Sequence, residues 1–509
     1  MRTAGPGTTN AIRSKRLFRA DGRTKRRRGP VPRVFSARPR LSARSGLPAR
    51  PRLSARSGLP GRPRPAPFAR LRRRASRSAS LGAVVAAAVA LGVAGCSGGP
   101  AQPVFKRVGP LITLRVGLYG DPGYRQAGLY AQYERLHPNI KIVQQVTASQ
   151  ASYWPKVAAG LKSGAALDDI QAVPVSDISA VTGPLSGDVV RLNTLGGVAA
   201  GNSAFADDWL PWVARQATDS AGNTYALGAE IGPVAMCYRT DLLAEAGLPT
   251  NPAVLARDWA TWPDYLRLGQ QFRARIPQGP SFTDSVTSIY NAMTAQAPEQ
   301  YYNTSGRVAV SGNPAVKTAW GTAVRAAQDG LSAKLVPQSA AWDQGVTRGS
   351  FATAVCPAWM LRQISHLAGS LGSGQWNVTS APGGSGNSGG FYLAIPRTSA
   401  HQQAAFGLAS YLAGPQAGAA LFRTQGDFPA NLDALTAVDA VTDPYFSGAR
   451  VGKIFGDAAD LTPAVITGPA SEAIGSDLDA DLSQVEIGHV SPDIAWQAAV
   501  RQATAAAAP

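Results

Sequence analysis

Histidine, methionine and cysteine are scarce: the 509 residues hold four, four and three of them. His137, His366, His401 and His489 share no spacing that would hold a metal, so no zinc site and no cofactor are expected. No segment matches Gly-x-x-x-x-Gly-Lys-Ser/Thr, which assigns any coupled nucleotide hydrolysis to a different polypeptide. Beyond position 95 no apolar run is long enough to cross a bilayer. Acidic residues are nearly missing from the N-terminal part, where Asp21 alone faces 24 of the 50 Lys and Arg. The rest carries 26 basic and 30 acidic residues, a net charge of −4. The basic balance of the whole chain is thus a property of one end, and it does not argue for nucleic-acid binding.

That end is low in complexity. The stretch Arg40-Leu41-Ser42-Ala43-Arg44-Ser45-Gly46-Leu47-Pro48 recurs from Arg52 to Pro60. Rich in Arg, Pro, Gly and Ser, it offers too little apolar surface to offset its ordering entropy. Residues 1–68 are therefore expected to be a disordered basic leader, or a start placed too far upstream. Residues 69–95 follow the logic of a signal peptide. Arg70 to Arg77 is a positive region, and Leu81 to Val93 is an uncharged apolar run too short to span a membrane. It ends in Val93-Ala94-Gly95-Cys96, which resembles the lipobox of bacterial lipoproteins. That resemblance implies acylation of Cys96, with anchoring worth about 0.8 kcal/mol per buried methylene. The Gly-rich residues 96–110 would then serve as a tether.

The mature part has the length of two domains. Ile112 to Tyr119 alternates like a strand, Tyr124 to Leu136 reads as a helix stopped before Pro138, and Ile140 to Val143 reads as a second strand. Tyr153 to Ser163 is helical in pattern and Ile170 to Val175 strand-like. This alternation predicts an α/β fold with a parallel sheet. Ligands in such sheets bind beyond the carboxyl ends of the strands, which puts Asp121, Tyr124, Ser176 and Asp177 on one rim. Further on, Ala235 to Tyr238, Ala352 to Cys356, Trp376 to Ser380 and Phe391 to Ile395 read as strands. Thr261 caps a long helix with Pro263 in its first turn.

These segments, in this order, resemble the family 1 extracellular solute-binding proteins of ABC importers, the group that includes maltodextrin-binding proteins. The resemblance runs from Leu111 to about Leu432. It rests on Gly120-Asp121-Pro122-Gly123-Tyr124, on Tyr133 to Ile142, on Tyr153 to Gly164 and on Gly222 to Gly228. Tyr238 to Leu248 with Thr261-Trp262-Pro263-Asp264, Gly349 to Trp359 and Gly389 to Pro396 complete it. Two departures stand out. Asp168-Asp169 replaces the usual Pro-Asp, and Val173-Pro174 stands where maltodextrin binders place an aromatic platform.

The resemblance implies a fold of the two-lobe periplasmic-binding-protein type, a Venus flytrap whose hinge closes on ligand held between lobes. On the same basis the first lobe would comprise 111–231 and 389–435, the second 232–388 and 436–509. A carbohydrate would be the ligand, its C–H faces stacking on aromatic rings and its hydroxyls bonding to polar groups. Trp359 matches the stacking tryptophan of the family, with Arg362 three residues on. Asp121, Tyr124 and Glu230 match ligand-contacting positions; Ser176 and Asp177 are weaker. Gly389 and Gly390 open the return strand, where backbone can approach ligand closely. Cys237 and Cys356 fall on neighbouring strands of the second lobe, and a disulfide between them is one expectation, two buried thiols the other. Partners would be ABC permease subunits and a separate ATPase, with membrane attachment through Cys96, no nucleic acid, and a monomeric chain.

Two functional alternatives remain open. A lipid-anchored glycan hydrolase would need two carboxylates facing across the cleft, for which Asp121 and Glu230 are candidates. A ligand-sensing lipoprotein would serve a membrane receptor instead of a permease. Gly386-Asn387-Ser388-Gly389-Gly390 fits a nucleophile elbow and Gly384 to Gly389 a dinucleotide fingerprint, but both need a helix to follow, and a strand is expected there. Tyr301-Tyr302 resembles the tyrosine pair of ferric-binding relatives in an otherwise ordinary loop.

Overall fold

A computed structural model describes residues 109–195 and 207–506. The leader, the signal segment, Cys96 and nearly all of the tether lie outside the described residues.

Strands β1 (Ile112–Tyr119), β2 (Ile140–Thr147), β3 (Ile170–Pro174), β4 (Ala226–Arg239), β5 (Ser281–Thr283), β6 (Phe351–Pro357), β7 (Trp376–Ser380) and β8 (Asn387–Ala394) join in the order β2-β1-β3-β8-β4-β6-β5, with β7 also on β4. The expected parallel sheet exists at its start, where β1 pairs parallel with β2 and β3. From there the sheet is mixed: β8 runs antiparallel to β3 and β4, and β6 and β7 antiparallel to β4. The reason is the long return connection, which brings β8 back beside β3 from the opposite direction.

Strand β4 is the structural crossing. Its first half, from Ala226 to Pro233, pairs with β8, and Val234 to Arg239 pairs with β6 and β7. Register shifts between Gly228 and Glu230 and between Ile231 and Pro233 mark where it leaves one sheet for the other. Pro233, which lacks an N–H, suits that break in the ladder. Gly232 is required there too, because a Cβ would collide with the Ser388 carbonyl oxygen. Past the crossing, side chains alternate between two cores: Ala235 and Cys237 face one, Val234, Met236 and Tyr238 the other.

The first core gathers Leu114, Val116 and Leu118 of β1 with Ile170, Val173 and Phe391. The second gathers Trp259, Tyr265, Phe272 and Phe282 with Ile474, Leu478 and Leu482 of the helix Ser471–Glu486. Cys237 and Cys356, both fully buried, form a disulfide diagonally across β4 and β6, with Cα atoms 5.7 Å apart.

Several boundaries differ from expectation for local reasons. The segment from Tyr124 begins as turns, and its helix starts at Leu129 behind Gly128, whose φ of 72° is left-handed. Helix Gln150–Ser163 starts earlier than its apolar pattern because the Ser149 side chain caps it, accepting from the Ser152 N–H. Thr261 caps helix Trp262–Arg275 as expected, accepting from the Asp264 N–H. Asn387–Ala394 is strand, so neither glycine-rich motif leads into a helix.

Candidate functional site

Two adjoining cavities, of about 420 and 270 Å³, open where the elements of the two cores meet. Ser176, Gln300, Asn387, Thr467 and Glu472 line both, which makes them one cleft. Volumes of this order are typical of small-molecule sites. One wall is the turn after β3, carrying Ser176. The other is built by helix Val286–Ala295, the end of β6 and the start of helix Ser471–Glu486. Asn387 to Gly390 of β8 form the floor.

Trp359 stands at the end of β6 and lines the larger cavity, half-buried. Its indole Nε1 donates to the Ser388 carbonyl at 2.9 Å, which fixes the ring against the floor. Gly389 is left without a side chain at this contact, since a Cβ would press on Trp359 Nε1. Gly390 needs a φ of 95°, and a Cβ there would strike the Glu230 carbonyl oxygen. The Gly390 carbonyl in turn accepts from the Tyr119 hydroxyl at 3.0 Å. Ser176 Oγ receives a hydrogen bond from Gln150 Nε2 at 3.0 Å and donates to Asp177 at 2.8 Å. Burial pushes the Asp177 carboxyl up to about 6; the Ser176 hydrogen bond opposes this and the charge of Glu472 adds to it.

Ser176, Trp359, Gly389 and Gly390 therefore meet in the cleft, whereas Asp121, Tyr124, Asp177, Glu230 and Arg362 line neither cavity. Asp121 is exposed and closes a turn, accepting from the Gly123 N–H and from Gln126 and Gln144. Tyr124 is fully buried, edge-on to Phe391 and tilted on Tyr130. Burial, then the charge of Asp427, holds the carboxyl of half-buried Glu230 well above the usual range. Arg362 is exposed and its charge acts on Asp427.

The cleft also contains residues without a sequence motif to announce them. Glu472 and Asp479 project from one helix seven residues apart, two turns and hence one face. Asp479 accepts two hydrogen bonds from Asn291 Nδ2, and burial, then the charge of Glu472, lift its carboxyl to about 7. Thr287, Ser288, Asn291 and Thr294 form a polar stripe on helix Val286–Ala295, a pattern visible in sequence only once the buried face is known. Tyr301 lines the cavity, while the Tyr302 hydroxyl accepts from the Ala470 N–H and its ring packs at Gly468. That pair holds a loop onto the last helices. No group of three or more potential metal-ligating residues occurs among the described residues.

A family model for bacterial extracellular solute-binding proteins matches residues 128–447. A solved structure of an extracellular solute-binding protein of family 1 is 35% identical, aligns over 78% of this chain and 100% of its own, and superposes with a TM-score of 0.72. The chain belongs to the bacterial extracellular solute-binding proteins. The sugar-binding protein MalE of Xanthomonas citri shares the fold at a TM-score of 0.63, with 19% identity over 78% of this chain and 97% of its own. The galacto-N-biose-/lacto-N-biose I-binding protein of Bifidobacterium longum shares it at 0.64, with 16% identity over 78% and 98%. A lactose-binding protein of Rhizobium radiobacter is 24% identical over 165 residues, 32% of this chain and 37% of its own length, so the match spans little more than a third of that relative. The architecture is thus the two-lobe binding-protein fold, with β4 and β8 as strands of the crossing.

Proposed function

We propose that this protein is an extracytoplasmic receptor that captures a carbohydrate in the cleft and delivers it to the permease of an ABC importer, without chemistry of its own. The observation that carries the proposal is Trp359, a half-exposed indole fixed by its own hydrogen bond, facing hydroxyl and amide groups on both walls. Such a ring stacks on the C–H face of a sugar while Ser176, Asn291, Gln300 and Asn387 serve its hydroxyls. Residues 111–231 with 389–435 act as one lobe and 232–388 with 436–509 as the other. Ligand touching both favours closure about β4 and β8. Arg362, Asp121, Asp177 and Glu230 then act at the edge of the site, while Tyr124 serves the core beneath it. Acylated Cys96 holds the protein, a monomer, at the outer face of the membrane, and the permease works with a separate ATPase.

A hydrolase is the less favoured reading. Asp121 is held in a turn, and neither it nor Glu230 lines a cavity, so the pair has no substrate bond between its members. The test is a thermal-shift survey of mono- and oligosaccharides, followed by chromatography of each stabilising sugar after incubation. An unchanged sugar that raises Tm supports capture. Cleaved sugar would establish the hydrolase, and a flat response to every sugar would end the carbohydrate assignment.

A further inference from the structure

The charged groups lining the cleft share one sign. Glu472 lines both cavities and Asp479 the larger, and among the described residues no Lys, Arg or His lines either. Asp177 lines neither cavity and lies behind Ser176, whose hydroxyl donates to it; the charge of Glu472 reaches both Asp177 and Asp479. Arg362 lines neither cavity, and its charge acts on Asp427. Glu472 is exposed, whereas Asp479 is partly withdrawn from water; a carboxylate so withdrawn without a counter-charge is costly, and the cost falls when a cation joins it.

A second observation in the same cavity is independent of charge. Ser288 lines it, is 6% exposed, and its Oγ has no hydrogen-bond partner. The hydroxyl is near enough to Asp284 to lower that carboxyl, yet outside hydrogen-bonding geometry. A buried hydroxyl left unpaired in a protein interior is uncommon and marks a place for a ligand atom.

We infer that the ligand is an aminated carbohydrate, its ammonium held between Glu472 and Asp479 and one of its polar atoms paired with Ser288. This rests on the carbohydrate assignment above. An ammonium supplies three donors and the missing charge, whereas a neutral hydroxyl at that place leaves like charges facing each other. The Asn291 amide already donates to both oxygens of Asp479, which holds that carboxylate in place on the cavity lining.

The experiment is titration calorimetry at pH 7.5 with matched pairs: glucosamine and glucose, galactosamine and galactose, the β-1,4-linked glucosamine disaccharide and cellobiose, with spermidine as an amine that is not a sugar. The aminated member of a pair is expected to bind at least tenfold tighter. That ratio should fall several-fold in Glu472→Gln and in Asp479→Asn, and in wild type at 0.5 M NaCl. Retained binding of the neutral sugar shows that these variants fold. Equal or tighter binding of the neutral member, with a ratio indifferent to both variants, would overturn the amine and leave the carbohydrate standing. Binding of spermidine alone, or of nothing, would overturn both.

Discussion

Trp359 shows how one side chain can be prepared for a ligand before the ligand arrives. Its Nε1 is spent on the Ser388 carbonyl, so the ring has one orientation and little entropy left to lose on stacking. Trp359→Ala is expected to raise Kd for a bound sugar at least tenfold, about 1.4 kcal/mol or more, with unfolding midpoints in denaturant nearly unchanged; calorimetry and equilibrium unfolding read the two effects separately. Asp284 makes a different point. It is fully buried, accepts from Trp342 Nε1 at 3.0 Å and the Ser285 N–H at 2.7 Å, and burial still pushes it up to about 7. Asp177 and Asp479 are raised as well, to about 6 and 7. A carboxyl raised in the folded state binds protons that the unfolded chain, with pKa near 4, has released. Its contribution is present below pH 4 and lost as pH rises through 6 to 7. The ligand-free protein should therefore unfold at lower denaturant at pH 8 than at pH 5, and Asp284→Asn should flatten that slope; a stability that climbs across this range would contradict the assignment.

At the scale of the elements, the crossing of β4 and β8 depends on glycines that no side chain can replace. Gly232→Ala sets a methyl against the Ser388 carbonyl and should cost about 1–3 kcal/mol of stability, seen as a lower midpoint of urea unfolding. The disulfide between Cys237 and Cys356 closes a loop of 119 residues. Replacing both with Ala should cost about 4–5 kcal/mol in the chain-entropy view. Most of these elements were readable from sequence because their signals are local. The alternation of Ile112 to Tyr119 fixes β1 to the residue, and Thr261 with Pro263 fixes the start of a helix. The antiparallel return of β8 was not readable, since periodicity carries no strand direction. The cleft was legible where a motif marks it, at Trp359 and Gly389-Gly390. Glu472, Asp479 and Asn291 were not, because a polar residue on a helix looks the same whether it faces water or a cavity. Tyr124 illustrates the converse: its rim position follows from topology, yet its ring turns into the core against Phe391.

At the scale of the whole molecule, one core runs from β1 and β3 onto one face of the sheet formed by β4, β6 and β7, and the second core covers that sheet's other face. Bending on closure is expected at β4 and β8, where the ladder is already interrupted. A ligand in the cleft contacts both sides and is expected to shift the molecule toward a closed form. Binding at a hundred times Kd adds about 2.7 kcal/mol to apparent stability. The measurement that bears most directly on carbohydrate capture is a calorimetric titration of the strongest stabilising sugar into the wild-type protein and Trp359→Ala, with small-angle scattering of the wild type at saturation. Capture in the cleft predicts one site per chain, a weakened or absent site in the variant, and a smaller radius of gyration with sugar. A sugar that binds both proteins equally and leaves the radius unchanged would place its site elsewhere and contradict the proposal.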